Sequence, residues 1–432
     1  MAKDVDIITL GCRLNAAESE AMRRMGANAG LDNAVIVNSC AVTNEAVRTA
    51  RQRIRRARRE RPDARIVVTG CAAQIDPEGF AAMPEVDAVI GNREKLTADT
   101  WRGLAASGPD APAPDAPPRL QVNDIMSVRD TAGHMIDGYG DRARAFLQIQ
   151  NGCDHRCTFC VIPYGRGNSR SVPLAAVIEQ ARRLTGAGHR ELVLTGVDIT
   201  SYGADLDGAP RLGALVGAVL DAVPDLYRLR LSSIDGAEID DELRERIAGD
   251  ARVAPYLHLS LQSGDDLILK RMKRRHSRAQ AIELCRALRA RRPDIAFGAD
   301  IIAGFPTETE EMFQRSLDII DEAGLNYLHV FPFSPRAGTP AARMPQLDRA
   351  VVKERAARLR ATAARALHAF LDSLVGGEQD AVQESGARAR LGNFAPVRLA
   401  GDAGSRAGVP GEIVRVVLTG RDGDSLIGAP AS

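Results

Sequence analysis

Three times near its start the chain runs through a β-rich stretch that stops on a cysteine. The runs are Val5-Asp6-Ile7-Ile8-Thr9-Leu10-Gly11-Cys12, Ala34-Val35-Ile36-Val37-Asn38-Ser39-Cys40 and Arg65-Ile66-Val67-Val68-Thr69-Gly70-Cys71. Helix-patterned sequence fills the gaps, and the cysteines fall 28 and 31 residues apart, about the length of one strand–helix–strand unit. Strands alternating with helices close into a parallel sheet with helices on both faces. The carboxyl ends of such strands share one edge, where ligands bind. Cys12, Cys40 and Cys71 are therefore expected to meet at one place. The plain alternative is three buried thiols, since free cysteine is often buried; three at equivalent strand ends argue for ligands.

A second group of thiols is local. Gly152-Cys153-Asp154-His155-Arg156-Cys157-Thr158-Phe159-Cys160 has the spacing C-x3-C-x2-C directly after a strand. Thiolates are the ligands of iron–sulfur clusters. Three on one short loop can hold three irons of a 4Fe-4S cube and leave the fourth open to a substrate's amino and carboxylate groups. The competing reading is a zinc site that adds His155, although zinc sites usually pair C-x2-C with a second distant pair. Cys285, within Ala281-Ile282-Glu283-Leu284-Cys285-Arg286, reads as a structural thiol on a helix.

The remaining sequence sets the frame. At 432 residues the chain is long enough for two to four domains. No apolar run reaches the length of a membrane helix and no secretory signal is evident, so the expected compartment is the cytosol, where clustered cysteines read as metal ligands rather than disulfides. The formal net charge of +1 gives no global polyanion signal, yet local basic patches exist. Residues 108–118, rich in proline, read as an extended linker. Beyond them, strand candidates at 145–150, 191–195, 228–232, 256–262, 297–302 and 327–333 alternate with helical patterns, which suggests a complete or partial βα barrel. A long amphipathic run at 347–374 closes that part. The tail from about 375 alternates short β-prone runs with glycine-rich turns and suits a small antiparallel barrel.

The motifs together resemble those of the radical S-adenosylmethionine superfamily, and within it the methylthiotransferases. The resemblance rests on C-x3-C-x2-C and on Gly11-Cys12-Arg13-Leu14-Asn15 with Glu18-Ser19-Glu20, Asn38-Ser39-Cys40-Ala41-Val42-Thr43-Asn44-Glu45-Ala46 and Thr69-Gly70-Cys71-Ala72-Ala73-Gln74. Leu259-Ser260-Leu261-Gln262-Ser263-Gly264, Gly304-Phe305-Pro306-Thr307-Glu308-Thr309 and Phe333-Ser334-Pro335-Arg336-Ala337-Gly338-Thr339-Pro340 extend it over almost the whole chain.

The resemblance implies an α/β chain: an N-terminal flavodoxin-like parallel sheet domain (1–107), a linker (108–138), a central partial βα barrel of radical type (139–372) and a small C-terminal TRAM-like RNA-binding β-barrel (373–432). It implies two 4Fe-4S clusters, a radical-generating one on Cys153, Cys157 and Cys160 and an auxiliary, sulfur-supplying one on Cys12, Cys40 and Cys71. It implies S-adenosylmethionine as cosubstrate. Gly196, Asp198, Gln262, Ser263 and Gly304 lie at ends of barrel strands, where barrel enzymes place their sites, and are the expected cosubstrate contacts; ordinary turn glycines are the alternative at any one position. The expected partners are tRNA and an unidentified one-electron donor, with no membrane.

Three branches of the family act on isopentenyladenosine in tRNA, on an aspartate of a small-subunit ribosomal protein, and on threonylcarbamoyladenosine in tRNA. The stretches at 40–46 and 334–339 look most like the third. Ala16-Ala17 departs from the larger or polar pair expected there, which bears on the branch and not on the family. For RNA, the strongly basic helix at 43–61 offers Arg55, Arg56 and Arg59, and the run Lys270-Arg271-Met272-Lys273-Arg274-Arg275-His276 offers Lys273, Arg274 and Arg275; charge runs are otherwise plain solvated faces. Tyr164, Phe333 and Phe394 are the candidate stacking platforms. Rivals from other classes are a non-catalytic RNA-binding iron–sulfur protein and a redox sensor.

Overall fold

The computed structural model describes residues 5–106, 119–131, 136, 138–140, 142–400 and 409–431; the stretch 108–118 lies outside the described residues. The chain forms two compact units. The first comprises Met1–Ile136, Gln150–Ser171 and Ser334–Thr339, and the second comprises Asp137–Ile149, Val172–Phe333 and Pro340–Ser432.

The first unit is built on five parallel strands, β1 (Asp6–Thr9), β2 (Ala34–Ser39), β3 (Arg65–Gly70), β4 (Ala88–Ile90) and β5 (Leu120–Gln121), lying side by side in chain order. Successive side chains of a strand point to opposite faces, and both faces are covered. Val35, Val37, Ile66, Val68 and Val89 pack with Phe80 on one side. Ile36, Val67 and Ile90 pack with Met22, Trp101 and Leu104 on the other. Burial on both faces explains why the strands read as unbroken apolar runs. Helix α1 (Arg13–Asn28) leaves β1 and brings Met22 to the second face. Helix α2 (Asn44–Glu60) leaves β2, is capped by Thr43, whose Oγ1 accepts from the Ala46 amide at 3.1 Å, and buries Ala50, Ile54 and Ala57. Its arginines stay on the outer side.

In the second unit six parallel strands follow one another in an arc. Ala145–Gln148, Glu191–Thr195 and Arg228–Leu231 form one sheet, and Tyr256–Gln262, Ala296–Ala303 and Tyr327–Pro332 form another. Parallel bridges Leu229↔Val253 and Ile234↔Leu259 join the two. This is the expected partial barrel, with strand bounds within two residues of those read from the sequence. Its interior carries charge: Glu191 is fully buried and accepts from Arg230 Nε at 2.7 Å and Arg228 Nη1 at 3.1 Å. The helix Arg349–Leu374 then leads to a closed five-stranded barrel. Leu367, Phe370, Leu371 and Leu374 of that helix pack on the barrel core of Ala389, Leu391, Val397, Val416 and Leu426. Four of its five pairings are antiparallel, and Pro396–Leu399 runs parallel to Ser425–Pro430. Among the described residues no helix is long and apolar enough to cross a membrane.

Candidate functional site

Because β1, β2 and β3 are neighbours, the turns that follow them lie at one edge of the sheet. Cys12 directly precedes α1, Cys40 follows β2, and Cys71 opens the short helix α3 (Cys71–Ile75). Two glycines shape the turns. Gly11 has φ +90°, and a Cβ there would lie 2.8 Å from Cys40 Cβ and 2.9 Å from its Sγ. Gly70 has φ +92°, and a Cβ there would meet the Ser39 carbonyl oxygen at 2.3 Å. Only glycine combines that backbone with that clearance. Cys40 and Cys71 are buried and Cys12 is exposed. Burial pushes the Cys40 thiol up to about 11, and the neighbouring Cys71 and Cys12 thiols push in the same direction. The three sulfurs thus share one electrostatic environment, which a bound cation would invert, since metal ligands are thiolates.

A buried charge network backs this edge. Arg166 Nε donates to Cys71 Sγ at 3.1 Å. Its other nitrogens donate to both carboxylate oxygens of Glu18, at 2.9 Å for Nη2 to Oε2, and to Asn15 Oδ1. Lys95 Nζ donates to Glu18 Oε2 at 2.6 Å, and the Trp101 indole donates to the Lys95 carbonyl at 2.9 Å. Arg166, Glu18 and Lys95 are at most 1% exposed. Burial alone would raise the Glu18 carboxyl, but the Arg166 and Lys95 charges hold it at about 2. Asn15 and Glu18 stand within a motif of the sequence, whereas Arg166 and Lys95 stand outside the motifs; the one sequence signal for Arg166 is the Gly165-Arg166-Gly167 step so soon after Cys160, and Lys95 has none.

The C-x3-C-x2-C loop folds with this same unit. Gly152 opens it at φ +75°, where a Cβ would lie 1.8 Å from the Asn168 carbonyl oxygen. The Cys153 amide donates to the Gly167 carbonyl at 3.0 Å, Asp154 Oδ1 accepts from the Ser169 amide at 2.9 Å, and Arg156 Nη2 donates to Asn168 Oδ1 at 2.8 Å. The three cysteines are half-buried, and the Ile162 amide donates to Cys160 Sγ at 3.4 Å. None of the seven cysteines is in a disulfide. Among the described residues, the side-chain groups close enough to share a single ion include no cysteine.

The stretches at 40–46 and 334–339 also come together in this unit. The Asn44 amide donates to Ser334 Oγ at 3.3 Å, Asn44 Nδ2 donates to the Pro335 carbonyl at 3.0 Å, and Arg336 Nη1 donates to Asn44 Oδ1.

In the second unit the expected cosubstrate residues sit at or just beyond strand ends. Gly196 and Asp198 follow Glu191–Thr195, Gln262 and Ser263 close or follow Tyr256–Gln262, and Gly304 follows Ala296–Ala303. As the strands are parallel, all five lie at one mouth. Asp198 is buried and its Oδ2 accepts from Ser201 Oγ at 2.7 Å. Gln262 holds φ 72°, and Gly304 holds φ +73° where a Cβ would lie 2.7 Å from Val352 Cγ2. Ser263 is fully buried and accepts from the Asp265 amide at 3.2 Å.

The RNA candidates divide. Arg55, Arg56 and Arg59 are exposed on α2; Arg56 donates to Glu60 at 2.7 Å and Arg55 lies 3.9 Å from Glu85. Lys273 is exposed and Arg275 pairs with Glu238 at the surface. Arg274 turns inward, donating to Asp235 Oδ2 and to the Ser260 carbonyl, each at 2.7 Å, so it holds the barrel together instead of facing a ligand. Of the aromatics, Tyr164 is 55% exposed. Phe394 stacks on Tyr256 at 4.8 Å within the second unit, and Phe333 meets Phe305 edge-on at 5.5 Å. Phe394 is thereby taken up in packing.

Two family models match this chain: the Radical SAM superfamily over residues 147–320 and Uncharacterized protein family UPF0004 over residues 4–91. The parallel strand arc and the C-x3-C-x2-C loop thus define a radical S-adenosylmethionine enzyme, a class whose members hold a 4Fe-4S cluster and S-adenosylmethionine. The chain is 51% identical, over 91% of each sequence, to Threonylcarbamoyladenosine tRNA methylthiotransferase MtaB of Rickettsia prowazekii. It is 38% identical to the protein of the same name from Bacillus subtilis, over 81% of this chain and 78% of that one. It is 33% identical, over 89% of each, to tRNA-2-methylthio-N(6)-dimethylallyladenosine synthase of Ruegeria pomeroyi. The chain belongs to the methylthiotransferase family of radical S-adenosylmethionine enzymes. Among solved structures it is similar to the radical S-adenosylmethionine methyltransferase TsrM of Kitasatospora setae, with a TM-score of 0.52 and 17% identity over 78% of this chain and 77% of that one; that likeness speaks for the fold.

Proposed function

We propose that this enzyme adds a methylthio group to C2 of N6-threonylcarbamoyladenosine at position 37 of tRNA, in the cytosol. The branch rests on the names of the relatives at 51% and 38% identity. The observation that carries the chemistry is that one compact unit presents two separate thiol triads. In this reading Cys153, Cys157 and Cys160 hold a 4Fe-4S cluster that, when bound, supplies the electron for cleaving S-adenosylmethionine. Cys12, Cys40 and Cys71 hold a second cluster that is the source of sulfur.

The protein's own groups do the rest. Gly152 and the Asp154–Ser169 contact fix the loop that presents the first triad. Asp198 offers a carboxylate to the ammonium of the cosubstrate, and Gly196, Gln262, Ser263 and Gly304 shape the mouth around it. Residues 1–107 carry the sulfur-donating site, 139–372 the radical domain and 373–432 an RNA-binding barrel. Arg55, Arg56 and Arg59, with Lys273 and Arg275, meet the tRNA backbone. An external donor supplies single electrons. The test is anaerobic reconstitution with an iron count: about eight irons as two cubes, and about four after Cys153, Cys157 and Cys160 are all changed to Ala. Loss of all iron in that triple variant would refute two independent sites.

A further inference from the structure

Arg166 belongs to one triad by sequence and to the other by contact. It ends the helix α4 (Ile162–Arg166), which begins two residues after Cys160. Its guanidinium nevertheless reaches Cys71, with Nε donating to Sγ at 3.1 Å. The helix is pressed against the same cysteine, since a Cβ on Gly165 would lie 3.2 Å from Cys71 Cβ. Asn92 Nδ2 donates to the Gly165 carbonyl and fixes the helix from the other side. The guanidinium cannot swing away, because Glu18 takes it through both carboxylate oxygens, Asn15 takes a further hydrogen, and Lys95 braces Glu18. Nothing in S-adenosylmethionine binding or in a solvated surface asks for a cation at most 1% exposed on a thiol.

We propose that Arg166 is a positioning residue for the sulfur-donating centre, setting its reduction potential through the Nε–H···Sγ bond to Cys71. The inference rests on the reading that Cys12, Cys40 and Cys71 hold a cluster. A donor to a ligand sulfur, and a fixed positive charge beside it, both favour the more negative, reduced state and raise the potential. In the low dielectric of a buried site the effect is undiluted by water. Because Arg166 lies six residues after Cys160, the same side chain also ties the C-x3-C-x2-C loop to the Cys71 turn.

The experiment uses full-length protein carrying Cys153→Ala, Cys157→Ala and Cys160→Ala, so that only the second centre contributes a signal. Dithionite supplies the single electron, and the reduced fraction is followed by electron paramagnetic resonance against a set potential. Arg166→Lys keeps the charge opposite Glu18 and loses the planar guanidinium; Arg166→Gln loses the charge and, with its shorter side chain, the reach to Cys71. Trp101 fluorescence checks that each variant is folded. Arg166→Gln should lower the reduced-to-oxidised ratio at the unsubstituted protein's midpoint by about tenfold or more, the size of one lost hydrogen bond to a charged group. Arg166→Lys should shift it in the same direction by less. A folded Arg166→Lys variant with an unchanged midpoint, and a folded Arg166→Gln variant likewise, would overturn the proposal. Failure of the triple-cysteine background to hold any cluster would instead remove the reading on which it rests.

Discussion

Glu18 lies between two buried cations, Arg166 and Lys95, so removing its charge should unfold the first unit at a much lower denaturant concentration. The structure gives two routes to the magnitude. Breaking a buried ion pair from one side costs about 3–5 kcal/mol, because the partner charge is left unpaired, and here Arg166 and Lys95 are both left. The second route is the carboxyl itself: it is held at about 2 against an ordinary 4.5, a difference equivalent to about 3 kcal/mol. The sign follows from the depressed value. The contribution is complete above the unfolded carboxyl's range and is lost as pH falls from about 5 toward 2. The chain's single tryptophan, Trp101, is fully buried against Lys95, so its fluorescence reports this unit alone. In urea, Glu18→Gln should lower the Trp101 transition by about 3 kcal/mol or more and should flatten its dependence on acid. Adding Lys95→Met should restore part of the loss. A Glu18→Gln transition displaced by less than about 1 kcal/mol, the scale of a surface pair, would refute the reasoning, as would an undiminished acid slope.

Three further outcomes follow. Cys12→Ala should abolish methylthio product yet leave S-adenosylmethionine cleavage to 5′-deoxyadenosine, read by chromatography; equal loss of both in a folded variant would contradict separate centres. Gly152→Ala should empty the first triad and halve the iron count, because both its positive φ and the Asn168 carbonyl exclude a Cβ; full iron loading would show that the loop can shift. Changing Arg55, Arg56 and Arg59 together to Gln should weaken tRNA binding and flatten its salt dependence, since each neutralised phosphate releases a counterion. Unchanged affinity and slope in a filter-binding titration would leave α2 as a solvated face.

Much of this molecule could be read from its residues. The six barrel strands were legible as short β-prone runs set apart by helical patterns, some nearly all apolar, such as Glu191–Thr195, and others alternating, such as Arg228–Leu231 and Tyr256–Gln262. The cysteine triads were legible because thiols are scarce and their positions at strand ends repeat. What escaped depends on distant partners. Arg166 meets Glu18 across 148 residues and Lys95 meets Glu18 across 77, and apart from the glycines that flank Arg166 nothing local sets the two apart from the other 55 of the chain's 57 Lys and Arg residues. Arg274 reads as one more member of a basic run, yet Asp235 draws it inward. Phe394 reads as a stacking platform, yet Tyr256 and the guanidinium of Arg390, 4.6 Å from its ring, enclose it. The first two strands of the terminal barrel, Glu378–Ser385 and Arg388–Leu391, carry charged outer faces that hide the alternation of Ala381, Ala389 and Leu391 toward the core.

The most direct measurement is the product itself. Reconstituted enzyme, S-adenosylmethionine and a reductant are incubated with tRNA bearing threonylcarbamoyladenosine at position 37, and in parallel with tRNA bearing isopentenyladenosine there. Nucleosides from each digest are then weighed by mass spectrometry. The expected result is 2-methylthio-N6-threonylcarbamoyladenosine from the first tRNA, none from the second, and none from either with Cys71→Ala or Cys160→Ala. Methylthio product from the isopentenyl tRNA alone, or product persisting in either cysteine variant, would contradict it.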